Sequence, residues 1–470
     1  MLMARRKIVI QRLLLLPFGL MLNAWISAEE LPRGVPIDQV ICEADTSQSY
    51  ALYLPSSYSC DRRWPIIYCF EAGARGPVPI GRFRAAAEKY GYILACSNNS
   101  RNGPVEPIFR ALQAVWTDTQ KRFCTDNSRV YSAGHSGGAQ VALEFGRMLG
   151  RPWAGAIVCC GGRMPGYELP RDIAVYLTTG LYDFNYWPTR QLDADLEAIR
   201  VEHHLEIFKD GHTWLPPDVA MAALDWLELQ AMKQGKKVRD DAWIASQFER
   251  RLQLAREVEQ RNKPAEAYEA CQTLISDFRG LADTKEEENA LAGLCPPAEI
   301  EKQRSVDQKA ADEEMRLLSA TVGAMEAFMN AADVRERRFF MEQMEIPRLQ
   351  REAKQGDETE SGLSARRVLG FLFGRTWLAA SQAYERSDMK AARDFYELAV
   401  LIQPDYGYAH LNLACVYSRL KETKKALRSL EAAIENGVKN REAIAKDPDF
   451  ETIRHEPAFI KLLEKIKGNA

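Results

Sequence analysis

The feature that most constrains this chain is a change of rhythm near residue 232. Between Ser49 and Met232, short apolar runs alternate with longer amphipathic ones; beyond Gln234 only long, charged, helical stretches follow. Trp64–Phe70 is an almost unbroken apolar run, the pattern of a strand buried on both faces. Tyr50–Leu54, Tyr92–Cys96, Arg129–Ala133, Ala156–Cys160, Ala174–Leu177 and Leu205–Phe208 read as further strands. Helices are predicted over Phe83–Lys89, Ile108–Phe123 and Gln140–Leu149. Such alternation implies crossover connections, so a mostly parallel sheet with helices on both faces is predicted. A chain of 470 residues is too long for one core. The expected division is a signal peptide over 1–28, an α/β domain over 36–232, a charged and weakly repeat-like helical region over 233–365, and an all-α helical-repeat domain over 366–470.

One stretch of the α/β region carries chemistry. Gly134-His135-Ser136-Gly137-Gly138 stands between a predicted strand and a predicted helix, the setting that gives a G-x-S-x-G arrangement its meaning. Small neighbours let the backbone turn sharply at Ser136 and lift its hydroxyl to the positive end of the next helix. The Gly137 N–H then faces a developing oxyanion. The plainer reading is a Gly-rich turn whose serine only caps the helix. A serine hydroxyl is hardly ionised near neutral pH and needs a base. His135 lies inside the turn, and His203 and His204 open a strand. His212 lies just past the last strand, where a loop overhangs the C-terminal edge of the sheet, and it is the expected base. Asp183 follows the strand at Ala174–Leu177 and is the expected carboxylate behind His212. Asp193 and Asp195 fall on the next helix and read as solvent-facing. The formal net charge of -3 offers no field for nucleic acid, so no such partner is expected. No Cys/His cluster has zinc spacing, and neither a metal nor a cofactor is expected.

The order Ser136, Asp183, His212 is the α/β-hydrolase order. Around it the region Tyr50–Leu229 resembles compact serine esterases related to polyhydroxybutyrate depolymerases and feruloyl esterases. The resemblance is carried by Ala51-Leu52-Tyr53-Leu54-Pro55, Gly91-Tyr92-Ile93, Arg129-Val130-Tyr131 before the turn, and Gly211-His212. It implies an α/β-hydrolase fold and cleavage of carboxylic esters. One departure stands out: the family's His-Gly pair after the central strand is replaced by Phe70-Glu71-Ala72-Gly73-Ala74-Arg75-Gly76. Ala72 or Gly73 is expected to give the second oxyanion N–H, and Glu71 opposes a negative charge there unless Arg75 neutralises it. Between Gly138 and Asp183 there is no room for a lid domain, so the site is expected to be open and to suit a bulky or polymeric ester. Trp187 and Trp214 are candidate aromatic walls for substrate, or else ordinary packing. A peptidase of the same fold shares the triad and is the alternative enzyme. A degenerate hydrolase-fold platform for partners is the alternative of another class.

A second resemblance lies near the C-terminus. Ala392, Tyr396, Ala399 and Pro404 are followed 34 residues later by Ala426, Leu430, Ala433 and Val438, with Leu413, Ala414 and Tyr417 ahead of the second set. Small residues at fixed points let two helices cross closely. Over Phe371–Asn436 this resembles the tetratricopeptide repeat, with a weaker copy around Asn262–Phe278 and with Ala380 and Ala383 replacing the usual glycine and tyrosine. A plain helical bundle is the alternative. The repeat resemblance implies a protein or peptide partner. Lys354–Ser364 is expected to be a linker.

Arg5, Arg6 and Lys7 precede a short apolar run, Leu13–Ile26, and small residues at Ser27-Ala28. This is the layout of a signal peptide, so an exported protein is expected, membrane-anchored if the segment is not cleaved. Export makes disulfides stable. Cys42–Cys60 and Cys271–Cys295 are the expected pairs, whereas Cys69, Cys96, Cys159 and Cys160 lie in strand-like runs and are expected to be buried free thiols.

Overall fold

The uninterrupted apolar runs become the middle of one eight-stranded sheet. In the computed structural model, which describes residues 31–466 except 165, 262, 332 and 358, the elements of the first region are β1 (Ile37–Ile41), β2 (Ser49–Tyr53), β3 (Trp64–Glu71), α1 (Pro77–Tyr90), β4 (Ile93–Ser97), α2 (Val105–Arg122), β5 (Thr125–His135), α3 (Gly137–Leu149), β6 (Gly155–Cys159), β7 (Ala174–Gly180), α4 (Tyr186–Ala198), β8 (His203–Phe208) and α5 (Pro217–Lys233). The strand order is β1-β2-β4-β3-β5-β6-β7-β8. The pairs β1–β2 and β2–β4 are antiparallel; all others are parallel. The C-terminal ends of β3, β5, β6, β7 and β8 therefore lie along one edge. The expected signal segment 1–28 lies outside the described residues.

Alternation along β3 shows how the sheet is sealed. Ile66, Tyr68 and Phe70 pack on Leu112 and Val115 of α2 and Phe145 of α3. Ile67 and Cys69 point the other way, onto Phe83 of α1 and Leu224 and Leu227 of α5. A side chain of this size, fully buried, contributes about 1.5–3 kcal/mol. β1 adds a strand to those expected. It lies at the sheet edge with the polar pair Asp38-Gln39 at its centre, which hides its period in the sequence.

The disulfide pairing differs from expectation. Cys60 bonds Cys124, with Cα atoms 5.4 Å apart, while Cys42, Cys271 and Cys295 are free and buried. The reason is register. Cys60 precedes β3 and Cys124 precedes β5, and these neighbouring strands begin side by side with Trp64 against Thr125. Cys42 instead sits near Asp118, and burial, reinforced by that carboxylate, pushes its thiol up to about 12. Cys69, Cys96, Cys159 and Cys160 are free and buried, as expected.

The remaining elements are helical: α6 (Asp241–Glu259), α7 (Pro264–Phe278), α8 (Lys285–Leu294), α9 (Pro297–Asn330), α10 (Val334–Gln343), α11 (Ile346–Ala353), α12 (Glu360–Glu385), α13 (Met389–Ile402), α14 (Gly407–Arg419), α15 (Thr423–Glu435), α16 (Arg441–Lys446) and α17 (Pro457–Lys465). The chain forms two compact units that divide between Ala311 and Asp312. The expected boundary at 232/233 does not coincide with that division. Asp277 of α7 is buried against the sheet unit, accepting from Trp226 Nε1 of α5 (2.6 Å) and Arg251 of α6 (2.6 Å) and lying 3.0 Å from His204 Nδ1 of β8. Leu229 and Met232 of α5 share an apolar cluster with Ile244, Leu274 and Phe278. The expected boundary at 365/366 falls inside α12, and the expected linker shrinks to the residues between α11 and α12.

In the unit that begins at Asp312, α12 packs on α13, α13 on α14 and α14 on α15. Ala380, Ala383, Ala392, Ala399, Ala414, Ala426 and Ala433 are fully buried where these helices meet, with Tyr396 and Leu430 filling the gaps. Asp388 caps α13 by accepting from the Ala391 N–H. Arg367 is buried and paired with Glu314 (3.0 Å) and Glu360 (2.9 Å). Among the described residues no helix is long and apolar enough to cross a membrane.

Candidate active site

The turn between β5 and α3 is strained where the sequence places its serine. Ser136 has φ 58° and ψ −125°, a region that side-chain-bearing residues rarely adopt and that costs about 1–3 kcal/mol. Two glycines around it are dictated by close approach. A Cβ on Gly138 would fall well under 3.0 Å from the Phe70 carbonyl oxygen, and one on Gly137 would collide with Oδ1 of Asn102. The Ser136 N–H donates to the Cys159 carbonyl (3.0 Å), tying the turn to the end of β6. The Ser136 side chain makes no capping hydrogen bond to α3, so the plainer reading of a helix cap is set aside. Its hydroxyl, half-buried, stands at the positive end of that helix.

Two strands along, the turn after β7 delivers Asp183 and the loop after β8 delivers His212. Tyr182 N–H donates to the Asp210 carbonyl (3.0 Å) and joins the two loops. Asp183 is completely buried, with Oδ1 2.9 Å and Oδ2 3.1 Å from His212 Nδ1. Its Oδ1 also accepts from the Asn185 N–H at 2.7 Å. The His212 ring packs against Phe184 (centroids 4.1 Å apart) and His135 (4.6 Å). His135 is the residue before Ser136, so the base lies beside the strained turn. Among the described residues the Ser136 hydroxyl has no hydrogen-bond partner. The structure thus brings all three residues to one edge and joins Asp183 to His212, but does not join His212 to Ser136.

The loop after β3 answers part of the expectation and corrects part. Glu71 is buried, and its Oε2 accepts from Gly73 N–H (2.7 Å), Arg75 N–H (3.2 Å) and Arg75 Nε (3.1 Å), while Arg75 Nη2 donates to Oε1. Arg75 therefore neutralises Glu71. Gly73 spends its N–H on that carboxylate and does not serve as the second oxyanion donor. The Ala72 carbonyl accepts from the Asn102 N–H (2.9 Å). Asn102 touches both Ala72 and Gly137, and sequence reasoning misses it because no motif marks it.

The two tryptophans separate. Trp187 is half-buried at the start of α4, edge-on to Tyr186 (5.0 Å). Trp214 is 3% exposed and packs edge-on to Phe83 (6.2 Å) and beside His135 (5.6 Å), so it is a core residue rather than a wall for substrate. His203 and His204 lie away from Ser136. His203 faces Asp193 (3.4 Å), and His204 pairs with Asp277. No helix or strand lies between β6 and β7 among the described residues, so no lid element occupies that connection.

No family model matches the chain. Among curated proteins, it is 39% identical over 58 residues to a chloroplastic protein of Arabidopsis thaliana, a match spanning 12% of this chain and 17% of that protein. Solved structures similar to it are esterases and serine hydrolases. A fluorophosphonate-binding serine hydrolase F of Staphylococcus aureus is 11% identical, with 41% of this chain and 97% of that one covered and a TM-score of 0.34. A ferulic acid esterase is 14% identical, with the same 41% and 97% covered and a TM-score of 0.36. An esterase of Pyrobaculum calidifontis is 12% identical, covering 43% and 88%, also at 0.36. At these identities and scores the likeness carries no weight beyond itself. The fold is read from the sheet order and from the strand-to-helix turn.

Proposed function

We propose that this chain is an exported serine hydrolase that cleaves carboxylic esters through an acyl-enzyme. The observation that carries this reading is Ser136, held at positive φ between β5 and α3, one residue from a histidine that touches His212, which in turn is bonded to buried Asp183. Ser136 Oγ attacks the ester carbonyl while His212 takes its proton. His212 then gives that proton to the leaving alcohol, and water repeats the sequence on the acyl-enzyme. Asp183 holds the ring and stabilises its charged form. The N–H groups of Gly137 and Ala72 receive the oxyanion, and Asn102 contacts both residues. The lack of a lid element between β6 and β7 among the described residues supports a bulky or polymeric ester over a buried lipid tail, with Trp187 at its rim. The Cys60–Cys124 disulfide supports export, since such bonds persist in oxidising compartments. The alanine-packed helix pairs of the second unit support a tetratricopeptide-like array that holds a protein or peptide partner.

The test is labelling by a fluorophosphonate probe. Wild-type protein is expected to label once per chain, and Ser136→Ala protein, folded, not at all. A screen of short acyl, feruloyl and peptide substrates then separates esterase from peptidase. One observation favours a second reading, a hydrolase-fold scaffold without turnover: the N–H of Gly73 is committed to Glu71. Folded wild-type protein that neither labels nor hydrolyses any short ester selects that reading.

A further inference from the structure

Beside the proposed triad, two donor residues that the hydrolytic reaction does not use, His135 and Cys160, meet the catalytic base His212. A ring nitrogen of His135, the Sγ of Cys160 and a ring nitrogen of His212 all lie within 4.8 Å of one another. The three residues come from the ends of β5 and β6 and from the loop after β8. His135 is 7% exposed, and its Nε2 is buried with no hydrogen-bond partner among the described residues. An orphaned imidazole nitrogen in the interior is costly unless something occupies it. We propose that His135, Cys160 and His212 form a site for a zinc-class divalent cation, which takes the catalytic base out of use when it binds.

The chemistry fits. Two imidazoles and a thiolate are the donor set preferred by zinc among divalent ions, and three protein ligands leave one position for water. Zinc bonds of about 2.0–2.3 Å to nitrogen and sulfur place ligand atoms about 3.5 Å apart in a tetrahedron, so the set must contract by roughly an ångström. Binding forms a metal–sulfur bond and breaks the S–H bond, releasing one proton per ion, with no change of oxidation state. Asp183 against His212 supplies the carboxylate–histidine pairing that orients metal-bound imidazoles.

Binding stands on these side chains alone; only its effect on turnover rests on the esterase reading. The experiment titrates the full chain, stripped by chelator, with Co²⁺ and with Zn²⁺. One ion per chain, one proton released, and a cobalt–thiolate absorption band are expected. Cys160→Ser should lose the band, and His135→Gln should bind at least tenfold more weakly, both with wild-type circular dichroism. Ser136→Ala protein should bind like wild type. Zinc should slow fluorophosphonate labelling at least tenfold in wild type and leave Cys160→Ser unaffected. Absence of the band in wild type, or a band and zinc affinity unchanged in both Cys160→Ser and His135→Gln, overturns the proposal. A chain that binds the ion but never labels keeps the site and discards the esterase reading.

Discussion

Removing the Arg75 side chain tests whether the Glu71 loop is compatible with an oxyanion. Glu71 is 2% exposed and lies in the ladder opposite His135, the residue before the serine. Four donors reach its carboxylate, two of them from the Arg75 guanidinium. Arg75→Ala leaves two backbone N–H groups on a buried charge. Breaking a fully buried pair costs about 3–5 kcal/mol, but the Arg75 side chain is 55% exposed, so water replaces part of what is lost. Exposed pairs are worth about 0–1 kcal/mol. An intermediate loss of about 1–2 kcal/mol in stability is expected. The uncompensated negative charge also opposes the oxyanion. A penalty of about 1.4–2.7 kcal/mol on the barrier is a 10- to 100-fold fall in kcat, with KM little changed. Glu71→Gln removes the charge, so Arg75→Ala on that background should change kcat less than about threefold. The assay is a double-mutant cycle on p-nitrophenyl acetate, with urea melts of all four proteins. If Arg75→Ala turns over within twofold of wild type, or the double variant is as slow as Arg75→Ala alone, the reasoning about this loop is wrong.

Three further outcomes are expected. Asp183→Asn should retain the fold and lower kcat by about 10⁴-fold, as loss of the orienting carboxylate does in serine hydrolases; steady-state kinetics measures it. Asp277→Ala should destabilise the first unit by about 3–5 kcal/mol while leaving Ser136 reactive, read by denaturant melts beside probe labelling. Burial raises the Asp277 carboxyl, yet His204 and Arg251 together hold it below the usual range. Its contribution is therefore complete above the unfolded value of about 3.9 and is lost as pH falls through the lower folded one, so Asp277→Asn should remove part of the acid sensitivity below about pH 4. Reducing the Cys60–Cys124 disulfide, whose ends are 64 residues apart, should cost up to about 4 kcal/mol by the loop-entropy relation, measured as the shift in denaturation midpoint with dithiothreitol.

The sheet was legible in the sequence because its central strands are buried on both faces and leave continuous apolar runs. Ser136, Asp183 and His212 were legible because each follows such a run, so placing the strands placed the residues. What escaped depends on contacts between distant segments. Cys60 and Cys124 pair only because β3 and β5 are neighbours, which no spacing announces. The helices α6 and α7 belong with the sheet because one carboxylate, Asp277, meets His204, 73 residues away. Trp214 is close to His212 in sequence yet turns inward onto Phe83. The donor set of His135, Cys160 and His212 has no motif, since its members lie at three separate strand ends.

The conformation of Ser136 has a consequence for how this chain would evolve under a different rule. At φ 58° a serine stores strain that glycine would not. In a laboratory population selected for thermal persistence alone, position 136 would drift to glycine and the chain would melt later because the strain is relieved. A population selected for reaction with an acyl donor would hold serine there against that drift. The backbone of one residue thus sets stability and chemistry in opposition.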